Sequence, residues 1–254
     1  MALDILGLLV AGAGASYGWW ALQRHRHARL GRKELESAFD GDTAVVFTVA
    51  AHAMTSRGHS QMWSLHLLYG LLQDETFTGA IKRLDGDPDA IETTVLGELD
   101  ARKEDPTGTQ ELIEIINRSY RIAQATERKI SIKDLWLRLA HSNAAPLVGV
   151  DAHELAFLLV HERRQPALDM PDRTDVHVVL RNDDHTPMEF VVWLLRDVFE
   201  LSDADSHARM METHTQGRAV VGRYKVTVAR DKVISVRSKA REQGFPLWIG
   251  LEDC

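Results

Sequence analysis

Two residues in the last third of the chain, Asp183 and His214, are of types that act as general acid and base. No nucleophile elbow, metal motif or phosphate loop accompanies them, so catalysis has little support. Each residue also has a structural interpretation. Asp183 could cap a turn in the sequence NDD, and His214 could be a hydrogen-bonded core histidine. We therefore predict that the chain is not an enzyme.

Three histidines, His52, His59 and His66, recur every seven residues and could line one helical face. Neither carboxylates nor cysteines with ligand spacing partner them, and no CxxC pair occurs. The sequence therefore predicts packing or surface roles for these histidines, with no metal site and no cofactor.

Composition narrows the class of protein further. A length of 254 residues allows one large domain or two small ones plus a tail. The net charge of -7 argues against a nucleic-acid-binding protein. The single cysteine, Cys254, excludes an internal disulfide and suits a reducing compartment.

The N-terminal segment differs from the rest of the chain. Residues 5–22 carry no charge, contain Trp19 and Trp20 near their end, and precede five basic residues from Arg24 to Lys33. This pattern predicts a transmembrane anchor at 1–24 and a basic juxtamembrane segment at 25–43, with the bulk in the bacterial cytoplasm. A buried or interfacial helix is the alternative, and the protein would then be soluble and cytoplasmic.

Residues 44–160 have the pattern of an all-α domain made of two similar halves. Each half contains a helix, a short polar turn and a leucine-rich second helix that begins near a serine. Ser131, with Asp134 three residues later, predicts a capping box at the second of these starts. The arrangement resembles the duplicated helical bundle of Clp/Hsp100 chaperone N-terminal domains, although no P-loop for the ATPase follows.

Residues 161–173, with two prolines and many charges, predict a linker, and residues 174–254 predict a compact α+β domain. VHVVL reads as a strand, and Thr186 and Pro187 as the cap and first residue of a helix. A second helix ends at Gly217, AVVGRYKVTV forms a strand or a hairpin, and a third helix covers 229–243. With the strand FPLWIGLE, this gives three helices on one face of a small three-stranded sheet.

Several motifs in this last domain occur in the order found in ClpS adaptors. They are NDD-x-TPMEFV from Asn182 to Val191, M-x-x-x-H at Met210 to His214, HxQG at 214–217, and the PL that contains Leu247. The C-terminal 80 or so residues therefore resemble the ClpS family, which captures proteins by their first residue for an ATP-dependent Clp protease.

The resemblance implies an amine-binding site formed by Asn182, Asp183 and His214. A free α-amino group is a cation with three donors, so it requires converging acceptors, at least one of them anionic. An amide carbonyl, a carboxylate and a neutral imidazole meet this need. An acetylated or internal residue has no such charge and would leave the carboxylate unpaired.

The resemblance also implies an apolar pocket for the first side chain of the substrate. Its positions here are Thr186, Met188, Val191, Met210, Thr213 and Leu247. Thr213 stands where the family usually has valine, which adds a hydroxyl to the pocket. Either methionine could instead belong to the core.

The family docks on the N-terminal domain of a Clp-family AAA+ chaperone, and Lys232 matches the basic residue of that docking surface. Thr227 and Arg230 replace residues that are often acidic there. The resemblance thus implies a membrane-tethered adaptor for proteins with free, large hydrophobic N-terminal residues. The alternative is an autoinhibited scaffold or regulator, in which the two Clp-related domains pair with each other.

Overall fold

The computed structural model describes residues 37–170 and 173–254, which divide into two compact units between Leu155 and Ala156. The anchor predicted at 1–24 and most of the basic segment at 25–43 lie outside the described residues. Within the described ranges, no helix combines the length and apolar character needed to cross a bilayer.

The first unit is helical, as predicted for residues 44–160. Its elements are α1 (Gly41–Ser56), α2 (Ser64–Leu71), α3 (Glu75–Arg83), α4 (Pro88–Ala101), α5 (Pro106–Ala125), α6 (Ile132–Leu139), a short 3₁₀ helix (Ala145–Val148) and the start of α7 (Ala152–His161). Aspartates begin several of these helices. Asp74 and Asp105, for example, accept hydrogen bonds from backbone N–H groups of the first turn that have no partner within the helix.

The two halves of this unit share one capping geometry. In α2 the N–H of Trp63 donates to Nδ1 of His66 over 3.2 Å, and in α6 the N–H of Ser131 donates to Oδ2 of Asp134 over 2.9 Å. The accepting side chain stands three residues after the cap in both helices. This equivalence supports a duplicated helix pair, and it confirms the capping box predicted at Ser131 and Asp134.

The second unit contains the predicted α+β fold. After the end of α7 come β1 (Asp175–Arg181), α8 (Met188–Phe199), α9 (Asp203–Gln216), β2 (Arg218–Lys225), α10 (Val226–Glu242) and β3 (Trp248–Asp253). The sheet has the antiparallel order β2-β1-β3, so the first strand lies at the centre. In β2, Val221 falls between the pairs Val178–Gly222 and Val179–Val220, which makes a bulge and places Val221 in the core.

Helices α8, α9 and α10 pack on one face of this sheet. Alternate residues of β1, namely Val176, Val178 and Leu180, are buried against them. Gly217 ends α9 as predicted, with a φ of 78° that is readily adopted by glycine.

Two local predictions are wrong. Pro187 rather than Thr186 caps α8, because the hydroxyl of Thr186 donates to Asp183 instead of capping the helix. The sequence AVVGRYKVTV is neither a longer strand nor a hairpin, since β2 ends at Lys225 and α10 begins at Val226. Lys225 is the last residue of β2 to pair with β1, opposite Asp175, and the β-branched residues that follow belong to α10.

The opposite face of the sheet is also covered. Phe157, on α7, packs against Val179 and Trp248 there. The segment predicted as a linker, 161–173, contacts the same unit, since Arg237 donates to the carbonyls of both Pro166 and Ile249. The second unit therefore includes residues that precede its first strand.

Candidate functional site

The loop of residues 182–187, between β1 and α8, lies beside the C-terminal end of α9. The backbone N–H of Asn182 donates to the carbonyl of Gly217 over 2.9 Å. His214 occupies the last turn of α9 and is exposed. This hydrogen bond therefore brings the loop that carries Asn182 and Asp183 to the helix end that carries His214.

The carboxylate of Asp183 organises this loop. Its Oδ1 accepts hydrogen bonds from the backbone N–H groups of His185 at 2.8 Å and Thr186 at 2.7 Å. Its Oδ2 accepts from the hydroxyl of Thr186 at 2.9 Å. Asp183 thus has the turn-capping role that its sequence allowed, and the capping fixes the position of the carboxylate.

Among the described residues, the donors to this carboxylate leave one acceptor position open. An ionised carboxylate offers about four lone-pair sites, and the loop uses three of them at Asp183. Burial raises the pKa of Asp183, whereas its hydrogen bonds and the nearby His161 and His185 oppose that rise. A desolvated carboxylate with a spare lone pair is a favourable partner for a cation with N–H donors.

Three of the predicted pocket residues lie in one hydrophobic cluster. Val191 on α8, Met210 on α9 and Leu247 before β3 are all buried in the core on the helical face of the sheet. Met188, by contrast, is 40% exposed in the first turn of α8, and Thr186 is partly buried in the preceding loop. The structure therefore groups an inner set of apolar residues and leaves Met188 accessible beside the Asp183 loop.

Thr213 is buried on α9, and its hydroxyl has a partner within the helix. Oγ1 donates to the carbonyl of Arg209 over 2.8 Å. Threonine in helices commonly makes this bond to the preceding turn. The hydroxyl that distinguishes Thr213 from valine is thus satisfied without a ligand.

Lys232, predicted to dock a chaperone, lies at the other end of α8. Its Nζ donates to the carbonyl of Val198 and sits 5.6 Å from the ring centroid of Phe199. The 12 residues of α8 span about 18 Å. Lys232 is therefore separate from the residues that surround Asp183.

One residue near Asp183 was absent from the sequence-based set. His161, at the end of α7, interacts electrostatically with Asp183, and its Nε2 lies 2.6 Å from the carbonyl oxygen of Pro246. Burial lowers the pKa of His161. No motif signals this residue, because it precedes the segment that carries the recognisable pattern.

Two of the three histidines, His59 and His66, pair with each other in the first unit. Nδ1 of His59 lies 2.9 Å from Nε2 of His66, and both residues are buried, while His52 is exposed on α1. Across residues 37–170 and 173–254, no three His, Cys, Asp or Glu side chains are grouped so that they could hold a metal ion.

Comparison with protein families gives two matches. Residues 172–250 match the family described as "ATP-dependent Clp protease adaptor protein ClpS". Residues 39–143 match the "Clp repeat (R) N-terminal domain".

Individual relatives agree with the first match. The adapter protein ClpS of Leptospira biflexa is 44% identical over 90 residues, which cover 35% of this chain and 78% of that protein. The ClpS of Hydrogenovibrio crunogenus is 40% identical over 94 residues, covering 37% of this chain and 88% of that protein. A solved structure of Agrobacterium tumefaciens ClpS2 bound to L-phenylalaninamide is 37% identical, with a TM-score of 0.31, and covers 31% of this chain and 95% of that one.

Proposed function

The chain belongs to the ClpS family of Clp protease adaptors, and we propose that it binds proteins by a free, large hydrophobic N-terminal residue and delivers them to a Clp protease. Asn182, Asp183 and His214 bind the α-ammonium group. Thr186, Met188, Val191, Met210, Thr213 and Leu247 receive the first side chain.

The observation that carries this proposal is the hydrogen bond from the N–H of Asn182 to the carbonyl of Gly217. It supports a single binding point made by the Asp183 loop and the end of α9. The loop contributes the negative charge, and the helix end contributes the imidazole of His214.

The selectivity of the site follows from desolvation. The carboxylate of Asp183 is partly buried and has lost part of its hydration, and an incoming ammonium restores charge pairing. An acetylated N-terminus is uncharged and has one N–H, so it leaves Asp183 without that pairing. Breaking one partner of a buried charge pair costs about 2–5 kcal/mol, which corresponds to a loss of affinity of about 30-fold or more.

The apolar half of the site adds affinity. Burial of a leucine or phenylalanine side chain contributes about 1.5–3 kcal/mol. Met188 is exposed beside the Asp183 loop, and its flexible thioether can adapt to side chains of different shape.

The direct test is the affinity of the full-length chain for labelled peptides that begin with Leu, Phe, Trp or Tyr, measured by fluorescence anisotropy. The free-amine peptides should bind, and their acetylated counterparts should bind about 30-fold more weakly or not at all. Equal affinity for the two forms would overturn the proposal.

Asp183→Asn tests the charge of this side chain separately from its role in holding the loop. The amide oxygen can still accept from the N–H groups of His185 and Thr186, so the loop should keep its shape while the charge is lost. Peptide affinity should fall by a similar factor. Asp231→Asn, at an exposed position of α10, is the matched control and should bind as the wild type does.

The receiving partner and the cellular location are further parts of the proposal. The family supports a Clp-family AAA+ chaperone as the receiver, with Lys232 on the docking surface. Tethering through residues 1–24 is tested by deleting them: the deleted protein should move from the membrane fraction to the supernatant. Unchanged fractionation would remove the tether from the proposal.

A regulatory function is the alternative, and one observation favours it. The same chain matches both the adaptor family and the Clp N-terminal repeat domain, the type of domain on which such adaptors are expected to dock. If the first domain occupies the docking surface, deletion of residues 44–160 should strengthen chaperone binding. Unchanged affinity would favour the delivery function instead.

A further inference from the structure

The segment between α10 and β3 holds one wall of the proposed pocket. Leu247 belongs to this segment and is buried with Val191 and Met210. On the α10 side, the segment is fixed by backbone hydrogen bonds, including one from the N–H of Phe245 to the carbonyl of Ala240. Pro246 has no N–H, so its carbonyl is the polar backbone group through which it can be held.

His161 holds that carbonyl. Its Nε2 lies 2.6 Å from the Pro246 oxygen, and because a carbonyl can only accept, the ring must donate from Nε2. The ring itself is positioned by Phe157, whose centroid lies 4.4 Å away and which is in turn buried against Val179 and Trp248. The donor is thus presented from a packed face of the sheet.

The same side chain is also linked electrostatically to the amine-binding half of the site. His161 interacts electrostatically with Asp183, and burial favours the neutral form of the imidazole. His161 also lies outside residues 172–250, which match the adaptor family.

We propose that His161 is a positioning residue of the binding site: by donating to the Pro246 carbonyl, it fixes the segment that carries Leu247 and so preserves the pocket wall. This inference rests on the proposed function. It extends the recognition site of this chain into the helix that precedes the adaptor domain.

The test compares three variants of the full-length chain for their affinity toward a Leu-starting peptide. His161→Phe keeps a ring against Phe157 but removes the donor, and it should bind about tenfold more weakly because the Pro246 carbonyl is left unpaired. His161→Gln restores an N–H donor and should bind within about threefold of the wild type. His207→Gln, at an exposed histidine of α9, is the control and should have no effect.

Two results distinguish the proposed hydrogen bond from a purely structural role of His161: recovery of binding in His161→Gln, and the tautomer seen by spectroscopy. Nitrogen-15 NMR of the wild-type histidines should show His161 as the Nε2–H tautomer, and its signal should shift when the peptide binds. Wild-type affinity in His161→Phe, failure of His161→Gln to restore binding, or an Nδ1–H tautomer would each overturn the proposal. If His161→Phe does not fold, the glutamine variant and the tautomer decide the question.

The experiments distinguish an error in the role of His161 from an error in the proposed function. If the wild-type chain does not discriminate free from acetylated peptides, both fall. If it does, and Asp183→Asn abolishes the discrimination while His161→Phe binds normally, only the role of His161 is excluded.

Discussion

His66 donates a hydrogen bond from Nε2 to Nδ1 of His59 over 2.9 Å in the first unit. The direction of this bond follows from its neighbours. The Trp63 N–H donates to Nδ1 of His66, so the proton of His66 must be on Nε2. His59 in turn bonds to the backbone of Arg102, which leaves its Nδ1 as the acceptor. The pair is therefore a chain of two neutral imidazoles with defined tautomers.

Acid should destabilise the first unit through this pair. Burial, followed by the proximity of His59 and Arg57, lowers the pKa of His66 from 6.5 to about 3. Because the folded state has the lower pKa, the stabilisation is complete above pH 6.5 and is lost as the pH falls toward 3. The loss at pH 5 should be about 2 kcal/mol, measured by hydrogen exchange of the α2 amides at pH 7.5 and 5.

His66→Gln should flatten this pH dependence, because glutamine does not titrate in the range and can still accept from the Trp63 N–H. His52→Gln, at an exposed histidine of α1, should keep the wild-type dependence. An unchanged slope in His66→Gln would exclude the histidine pair as the cause.

Asp134→Ala should destabilise the first unit strongly. The carboxylate is 3% exposed, makes a bidentate pair with Arg128 at 2.5 and 2.7 Å, and accepts from the Ser131 N–H. Its removal takes the carboxylate partner from a partly buried guanidinium and the acceptor from the Ser131 N–H. The free energy of unfolding should fall by about 3–5 kcal/mol in urea titrations.

The matched control is Glu98→Ala, which removes an exposed ion pair with Arg102. Exposed pairs of this kind contribute about 0.3–0.5 kcal/mol. Similar losses in the two variants would contradict a special role for Asp134.

Thr213→Val should leave both stability and peptide affinity nearly unchanged. The hydroxyl is bonded to the Arg209 carbonyl within α9, so it presents no free donor to a ligand. We expect the free energy of unfolding to change by less than about 1 kcal/mol and the Kd for a Leu-starting peptide by less than about threefold. A larger change in Kd would mean that the hydroxyl contacts the bound residue.

Phe157→Ala should destabilise the adaptor domain, although Phe157 precedes the residues matched to the family. Its side chain is 1% exposed and packs on Val179 and Trp248. The loss should be about 3–5 kcal/mol, visible as faster hydrogen exchange in β1 and β3. Val45→Ala, at a 62% exposed position of α1, is the control. Unaltered exchange in β1 would show that the packing of Phe157 on this face of the sheet does not stabilise the domain.

Residues with strong local signals were predictable from the sequence. Gly217 ends α9 because the chain needs a positive φ there, and alternation in β1 separates Val178 from Val179 on opposite faces. The strand prediction for Val226–Val228 was wrong because β-branched residues favour strands. The residues that follow favour a helix, since its buried face repeats at helical spacing: Ala229, Val233, Val236 and Ala240. Tertiary packing prevailed over local preference in that turn.

Some residues of the candidate site were predictable from the sequence, and others were not. Asp183 and His214 could be identified from their residue types and from the motifs around them. The three hydrogen bonds of Asp183 could not, because they depend on the turn that it caps. His161 was not predictable. It reaches Pro246 across 85 residues of chain, and only the packing of Phe157 on the sheet brings it there.

The two proposed binding surfaces lie at opposite ends of α8, and this has a consequence for the order of binding. The Asp183 loop precedes its first turn, while Lys232 bonds to Val198 near its last. A cargo held at one end leaves the other end sterically accessible. If the chain works as proposed, with cargo at Asp183 and the receiver at Lys232, a ternary complex would assemble in either order, and transfer would not require the adaptor to leave its receiver first.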